Sequence, residues 1–153
     1  MWCFFVSHRV ALALSLDPSG LFLYMKLTIF GDIPSKKNSR QIVRAHGRIF
    51  SIPSELHKKW HHDTALKIIQ YKPEQPLEQC KIQCTFFPST KRAGDSSNKW
   101  QSIEDLLKDC RFIIDDNWFV LPDIHLVFGG VDKENPRAEI EIETVDNFFD
   151  TSK

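Results

Sequence analysis

A chain of 153 residues is one domain's worth and long enough to bury a core without covalent staples. Apolar, aromatic and charged fractions are ordinary for a globular protein, and no run of about 18 uncharged apolar residues exists, so the sequence predicts no membrane span. The formal net charge is zero but divided: residues 33–72 carry nine Lys/Arg and two Asp/Glu, whereas residues 93–153 carry six and fourteen.

Cys3, Cys80, Cys84 and Cys110 form no CxxC pair, which argues against a zinc site or a disulfide framework and points to reduced thiols in a cytoplasmic protein. Residues 1–24 read as an N-terminal extension. Their apolar stretches superficially suggest a signal peptide, but His8 and Arg9 interrupt them and no small-residue cleavage site stands out. Met25 opens a clean strand pattern over 26–31 and is taken as the natural start, with a domain over 25–146 and a tail over 147–153.

A polar, basic loop follows from Ile33 to Arg40, where Pro34 and the Ser/Asn residues favour irregular backbone. Two alternating arms, 41–44 and 48–52, flank Ala45-His46-Gly47 and predict a hairpin with Gly at the tight position. Pro53 and Ser54 announce a helix over about 54–71, ended by Pro73 and Pro76. Leu56, Trp60, Ala65, Ile68 and Ile69 form its expected buried stripe. Residues 79–87 alternate as a strand, with Cys80 and Cys84 on one face. The loop 88–96 leads into a second helix over about 97–110. Its wheel puts Trp100, Ile103, Leu106, Leu107 and Cys110 on one side, and Asn98, Gln101, Ser102, Asp105 and Asp109 on the other. Strands near 123–130 and 137–145 follow, joined by a turn from Asp132 to Pro136. The order predicts an α+β, two-layer domain: a mixed β-sheet packed with two main helices.

The divided charge suggests nucleic-acid contact beside a metal-holding centre. Hard divalent cations prefer oxygen ligands, and Asp95, Asp105, Asp115 and Asp116 gather around the second helix. About 13 helical residues span about 20 Å, so the chain must turn back, through 109–115, before Asp116 can approach Asp95. Asp105 lies about 10 Å along the helix from Asn98, which weakens it as a direct ligand beside Asp95. His57 and His61, four apart on a helix, have the spacing of two zinc ligands, but no Glu follows His57 and no third ligand is evident; they and His62 read as ordinary helix histidines. Trp118 and Phe119 read as core or dimer contacts, or as a wedge stacking on unpaired bases.

The stretch Asp95-Ser96-Ser97-Asn98, through Asp105-Leu106-Leu107, to Ile114-Asp115-Asp116 resembles the RusA family of Holliday junction resolvases, matching its motif spacing without a gap. The segment Ile33-Pro34-Ser35-Lys36-Lys37-Asn38-Ser39-Arg40 also looks like the family's proline-containing segment after its first strand. The resemblance covers about residues 25–146. It implies a RusA-like fold and a Mg²⁺-dependent (Mn²⁺-tolerant) homodimeric endonuclease that resolves four-way DNA in recombination and repair, often phage-borne. It implies Asp95 and Asp116 as metal ligands with Asp115 as acidic neighbour, and Asp105 as a further catalytic candidate. Lys36, Lys37, Arg40, Lys58, Lys59 and Lys99 are the candidate DNA contacts, because cations release counterions from phosphates, and Asn38 joins them as a neutral residue that hydrogen-bonds the backbone or caps the loop. Ser97 stands where the family has its second metal-binding Asp, and Gln101 where it has a functional Lys. The alternatives are a catalytically weakened junction-binding protein and a nuclease for other branched DNA.

Overall fold

The computed structural model describes residues 2–7, 10–16, 22–36, 40–92 and 94–145. The strands are β1 (Trp2–Ser7), β2 (Val10–Leu16), β3 (Phe22–Phe30), β4 (Arg40–Ala45), β5 (Arg48–Pro53), β6 (Cys80–Phe87), β7 (Asp123–Phe128) and β8 (Arg137–Thr144). The helices are α1 (Glu55–Ile68), extended by a 3₁₀ turn over Ile69–Tyr71, and α2 (Ser96–Asp109). Six strands form one sheet in the order β1-β2-β3-β8-β6-β7. All neighbours are antiparallel except β6 and β7, which run parallel and are joined through α2. The fold is mixed α+β with the helices on a mixed sheet, as the element order predicts.

Alternation decides the buried face. Met25, Leu27 and Ile29 on β3, Ile140 and Ile142 on β8, and Ile82 and Cys84 on β6 are all buried, and their registers align them: Leu27 pairs with Ile140, and Cys84 pairs with Ile140 from the other side. Trp100, Ile103, Leu106 and Leu107 of α2 and Ile68 of α1 complete the core. Between the core positions of β3 and β8, Lys26 reaches Glu139 at 2.8 Å and Glu141 at 3.3 Å, a cross-strand charge ladder.

The segment read as an extension supplies β1 and β2, which continue the sheet beyond β3, and Met25 lies inside β3 rather than at its start. Among the described residues, strands β4 and β5 pair only with each other, through the two-residue turn His46-Gly47. Both turn residues have positive φ, 51° and 73°, the primed turn whose twist suits a hairpin. This ribbon leaves Ile42 76% and Ile49 65% exposed.

Two details of the helices differ from the wheel. On α1, Leu56 and Ile69 are exposed, and the buried positions are His57, Thr64 and Ile68. On α2, Asn98 and Ser102 are buried although they lie on the polar side. Asn98 is buried against its own helix cap, donating to Asp95 at 2.7 Å, whereas His57 and Ser102 are buried against each other. A buried polar side chain is stable once it has partners, and the face between the two helices is built from such pairs. The Ser102 hydroxyl donates to the Pro34 carbonyl at 2.7 Å and lies 3.1 Å from His57 Nε2.

Cys80, Cys84 and Cys110 are free and buried, and burial pushes the Cys80 thiol up to about 12 and the Cys110 thiol up to about 11. Cys3 has no described side chain. No helix among the described residues is long and apolar enough to cross a membrane.

Candidate active site around helix α2

Asp95 is the N-cap of α2, in extended backbone (φ −88°, ψ 110°). Its Oδ1 accepts from the Ser97 amide at 3.0 Å, the Ser97 hydroxyl at 2.6 Å and the Asn98 amide at 3.4 Å. Its Oδ2 accepts from Asn98 Nδ2 at 2.7 Å. A carboxylate here satisfies amides that the first turn leaves without intrahelical partners, and its charge suits the helix N-terminus. Ser97 therefore acts as a donor to Asp95.

The far end of α2 explains how the chain turns back. Arg111 takes the left-handed conformation at φ 60°. The Phe112 amide donates to the Leu107 carbonyl and the Arg111 amide to the Lys108 carbonyl, both at 2.9 Å. This is a Schellman cap, and its usual hydrophobic contact joins two fully buried side chains, Leu107 and Phe112. The next residues are held in a parallel bridge between Ile113 and Leu77. The Leu77 amide donates to the Phe112 carbonyl at 2.9 Å, and the Ile114 amide to the Leu77 carbonyl at 3.1 Å.

That return sets Asp115 and Asp116 against the last turn of α2. Lys108 Nζ lies 3.1 Å from Asp116 Oδ2 and 3.8 Å from Asp115 Oδ1. The ammonium is held above its ordinary value, chiefly by the hydrogen bond to Asp116. Asp115 is held below the usual carboxylate range by the Asp116 amide, at 2.9 Å, and by Asn117 Nδ2, at 2.8 Å. One turn N-terminal to Lys108, Glu104 accepts from the Trp100 indole N–H at 3.2 Å. Partial burial pushes the Glu104 carboxyl up. The Trp100 hydrogen bond opposes that shift, and the charges of Asp116 and Asp105 add to it.

Asp105 pairs with Lys36, so the basic loop after β3 is clamped onto α2. His57 lies between these elements. Its imidazole is held below its ordinary value by burial first and by the charges of His61 and Lys36 next. His57 and His61 stack with centroids 6.4 Å apart, yet His57 Nε2 meets Ser102 and His61 Nε2 lies 3.1 Å from Asp109. These contacts give each a structural partner.

The structure thus joins Asp115 with Asp116, and places Asp105 on the same helix face as the Lys36 loop. Asp95 stands at the start of α2, about 20 Å of helix before Lys108. Among the described residues, no three His, Cys, Asp or Glu side chains are grouped as ready metal ligands. Glu104 and Lys108 were missed from sequence, although their i,i+4 spacing on the line of Gln101 was a readable signal.

The expected DNA contacts fall in separate places. Lys36 is spent on Asp105, and Lys58 lies 2.8 Å from Glu55. Lys59 is exposed on α1. Lys37 and Asn38 lie outside the described residues, and Arg40 is described only as backbone of β4. Lys99 lines a pocket at the other end of α2. Trp118 and Phe119 are not core residues: they are 75% and 62% exposed and touch edge to face, with centroids 6.3 Å apart.

Comparison with models of known protein families and with curated protein sequences found no match to this chain.

Proposed function

We propose that the chain is a Mg²⁺-dependent endonuclease of the RusA type, acting as a homodimer on four-way DNA. The observation that carries this reading is the returned Asp115-Asp116 pair, set beside the partly buried Glu104 on α2. Magnesium ordinarily takes only one or two carboxylates, with water and substrate phosphate completing its shell. The donor chemistry of this corner fits such an ion. Glu104 is pushed up partly by two neighbouring carboxylates, a repulsion that a divalent cation relieves.

Asp116, assisted by Asp115, is the pair that would hold the ion, which supplies water activation and charge neutralisation at a phosphodiester when bound. Lys108 holds Asp116 in place and offsets its charge in the absence of substrate. Asp105 anchors Lys36 and with it the basic loop. In this reading Asp95 acts by fixing the start of α2. A two-fold dimer suits a four-way junction because each subunit addresses one of two equivalent strands.

The test is cleavage of a synthetic four-way junction with Mg²⁺ and with Mn²⁺, wild type beside Asp116→Asn. Equal metal-dependent cleavage by both proteins sinks the assignment. A second reading, junction binding without cutting, is favoured by Ser97, which supplies a hydroxyl donor to Asp95 in place of a second carboxylate. Retained binding with no nicking under either metal distinguishes it.

A further inference from the structure

The parallel strand pair β6–β7 has a pocket at its C-terminal edge. In open sheets, the crevice beyond the carboxyl ends of parallel strands, under the loop leading into the crossover helix, is where ligands settle. Here the pocket encloses about 360 Å³, within the range of about 300–1,000 Å³ common for small-molecule sites. Phe86 of β6 and Leu126, Val127 and Phe128 of β7 form its apolar wall. Lys91 and Arg92 from the connecting loop and Lys99 from the first turn of α2 supply its charge.

Three features make this a formed site rather than a chance hollow. First, no acidic side chain lines it, and none of the three cations has an ion-pair partner among the described residues. Second, the loop is tied at its base: Ser89 donates through its amide, at 3.0 Å, and through its hydroxyl to Asp32, and the Asp132 amide donates to the Pro88 carbonyl at 3.0 Å. Third, the end of β7 is locked against β6. The Gly129 amide donates to the Phe86 carbonyl at 2.9 Å, and a Cβ at Gly129 would collide with the Phe87 ring. Phe128 remains 69% exposed beside the cations, an apolar ring facing solvent.

Cations beside an exposed aromatic ring match a phosphate joined to a flat base. The geometry points to this pocket as a nucleotide subsite, in which Lys91, Arg92 and Lys99 take the phosphate and Phe128 stacks on the base. The same chemistry comes from one unit of an unpaired DNA strand or from a free nucleotide. The strand source rests on the nucleic-acid reading above and extends it to an unpaired nucleotide near Asp95, away from the Asp116 corner.

The experiment measures fluorescence anisotropy of labelled oligothymidine in EDTA, where nothing is cut, with thymidine monophosphate as competitor. The wild type binds, and Lys91→Ala/Arg92→Ala weakens binding 10-fold or more while reducing the log–log salt slope by about 1.4, for two lost contacts at about 0.7 each. Phe128→Ala weakens it about 5-fold or more. Lys72→Ala, an exposed cation remote in sequence from the pocket, leaves it unchanged. Thermal melts confirm that each variant is folded. Oligonucleotide far tighter than monophosphate assigns the site to a strand; equal affinity assigns it to a free nucleotide. Unchanged affinity for both ligands in both pocket variants, or no binding by wild type, overturns the subsite. Because binding is read without cleavage, a chain that binds here but never cuts a junction removes the endonuclease reading and leaves this one standing.

Discussion

The two ends of α2 are built from opposite materials. At the N-terminal end the carboxylate of Asp95 is turned onto its own helix amides, and the free charge is positive, on Lys91, Arg92 and Lys99. At the C-terminal end the free charge is negative, on Asp115, Asp116 and Glu104, and a single ammonium, Lys108, stands among them. The macrodipole favours the reverse arrangement of mobile charge at both ends. Neither cluster is therefore explained by stabilising the helix. Asp95 and Lys108 meet the helix's own needs, and the remaining charges suit a phosphate at one end and a cation at the other.

Substitution at the acidic end is expected to cost the most activity. Asp116→Asn is expected to lower junction cleavage on the order of 10²–10³-fold, as loss of one transition-state stabiliser does. Single-turnover cleavage measures it, and a loss under tenfold breaks the assignment of catalysis to this end. At the basic end, Gly129→Ala drives a methyl into the Phe87 ring and is expected to destabilise the fold by about 1–3 kcal/mol, read from urea unfolding. No change would mean that β6 and β7 are not locked there. Asp95 separates the two roles next. Asp95→Ala is expected to cost about 1 kcal/mol of stability, whereas Asp95→Asn, also a good cap, costs less. If Asp95→Asn keeps stability and loses all cleavage, Asp95 is a ligand and the comparison fails.

Glu104 gives the smallest effect and the finest test. Its folded-state carboxyl is raised, so folding favours the protonated form. That contribution is fully present below the ordinary carboxylate range and is lost as pH rises through the raised value. Glu104→Gln is therefore expected to flatten stability against pH above that range and to reduce the thermal shift given by Mg²⁺. Parallel pH profiles for variant and wild type sink the role given to Glu104.

Local grammar made much of the fold readable. The hairpin turn at His46-Gly47, the Ser54 cap of α1 and the alternation of β6 all rest on contacts within a few residues. The β6–α2–β7 unit followed from the strand–helix–strand order. What the wheel misassigned was settled at long range. Ser102 is buried because Pro34 and His57, 68 and 45 residues away, supply its partners. Leu56 is exposed because His57 takes the inward position beside it. At the site, the adjacency of Asp115 and Asp116 was readable, and so was the need for a return before them. The length of that return was not. The Schellman cap and the Leu77 bridge bring the chain back beside Lys108, and Leu77 comes from before β6. Asp95, expected as a ligand, also satisfies the rule for a cap, and it caps α2.

The β4–β5 ribbon gives the chain a natural break point. Its tip, His46-Gly47, is exposed, and among the described residues its strands pair with nothing else. A protease cut there leaves β3 on one fragment and β6 to β8 on the other. The two would stay together through the seven registered pairs from Tyr24–Glu143 to Phe30–Arg137 and the apolar seam behind them. The domain is thus divisible in principle into two complementing halves, with α2 and the acid-bearing return carried whole by the second half and the Lys36 loop by the first.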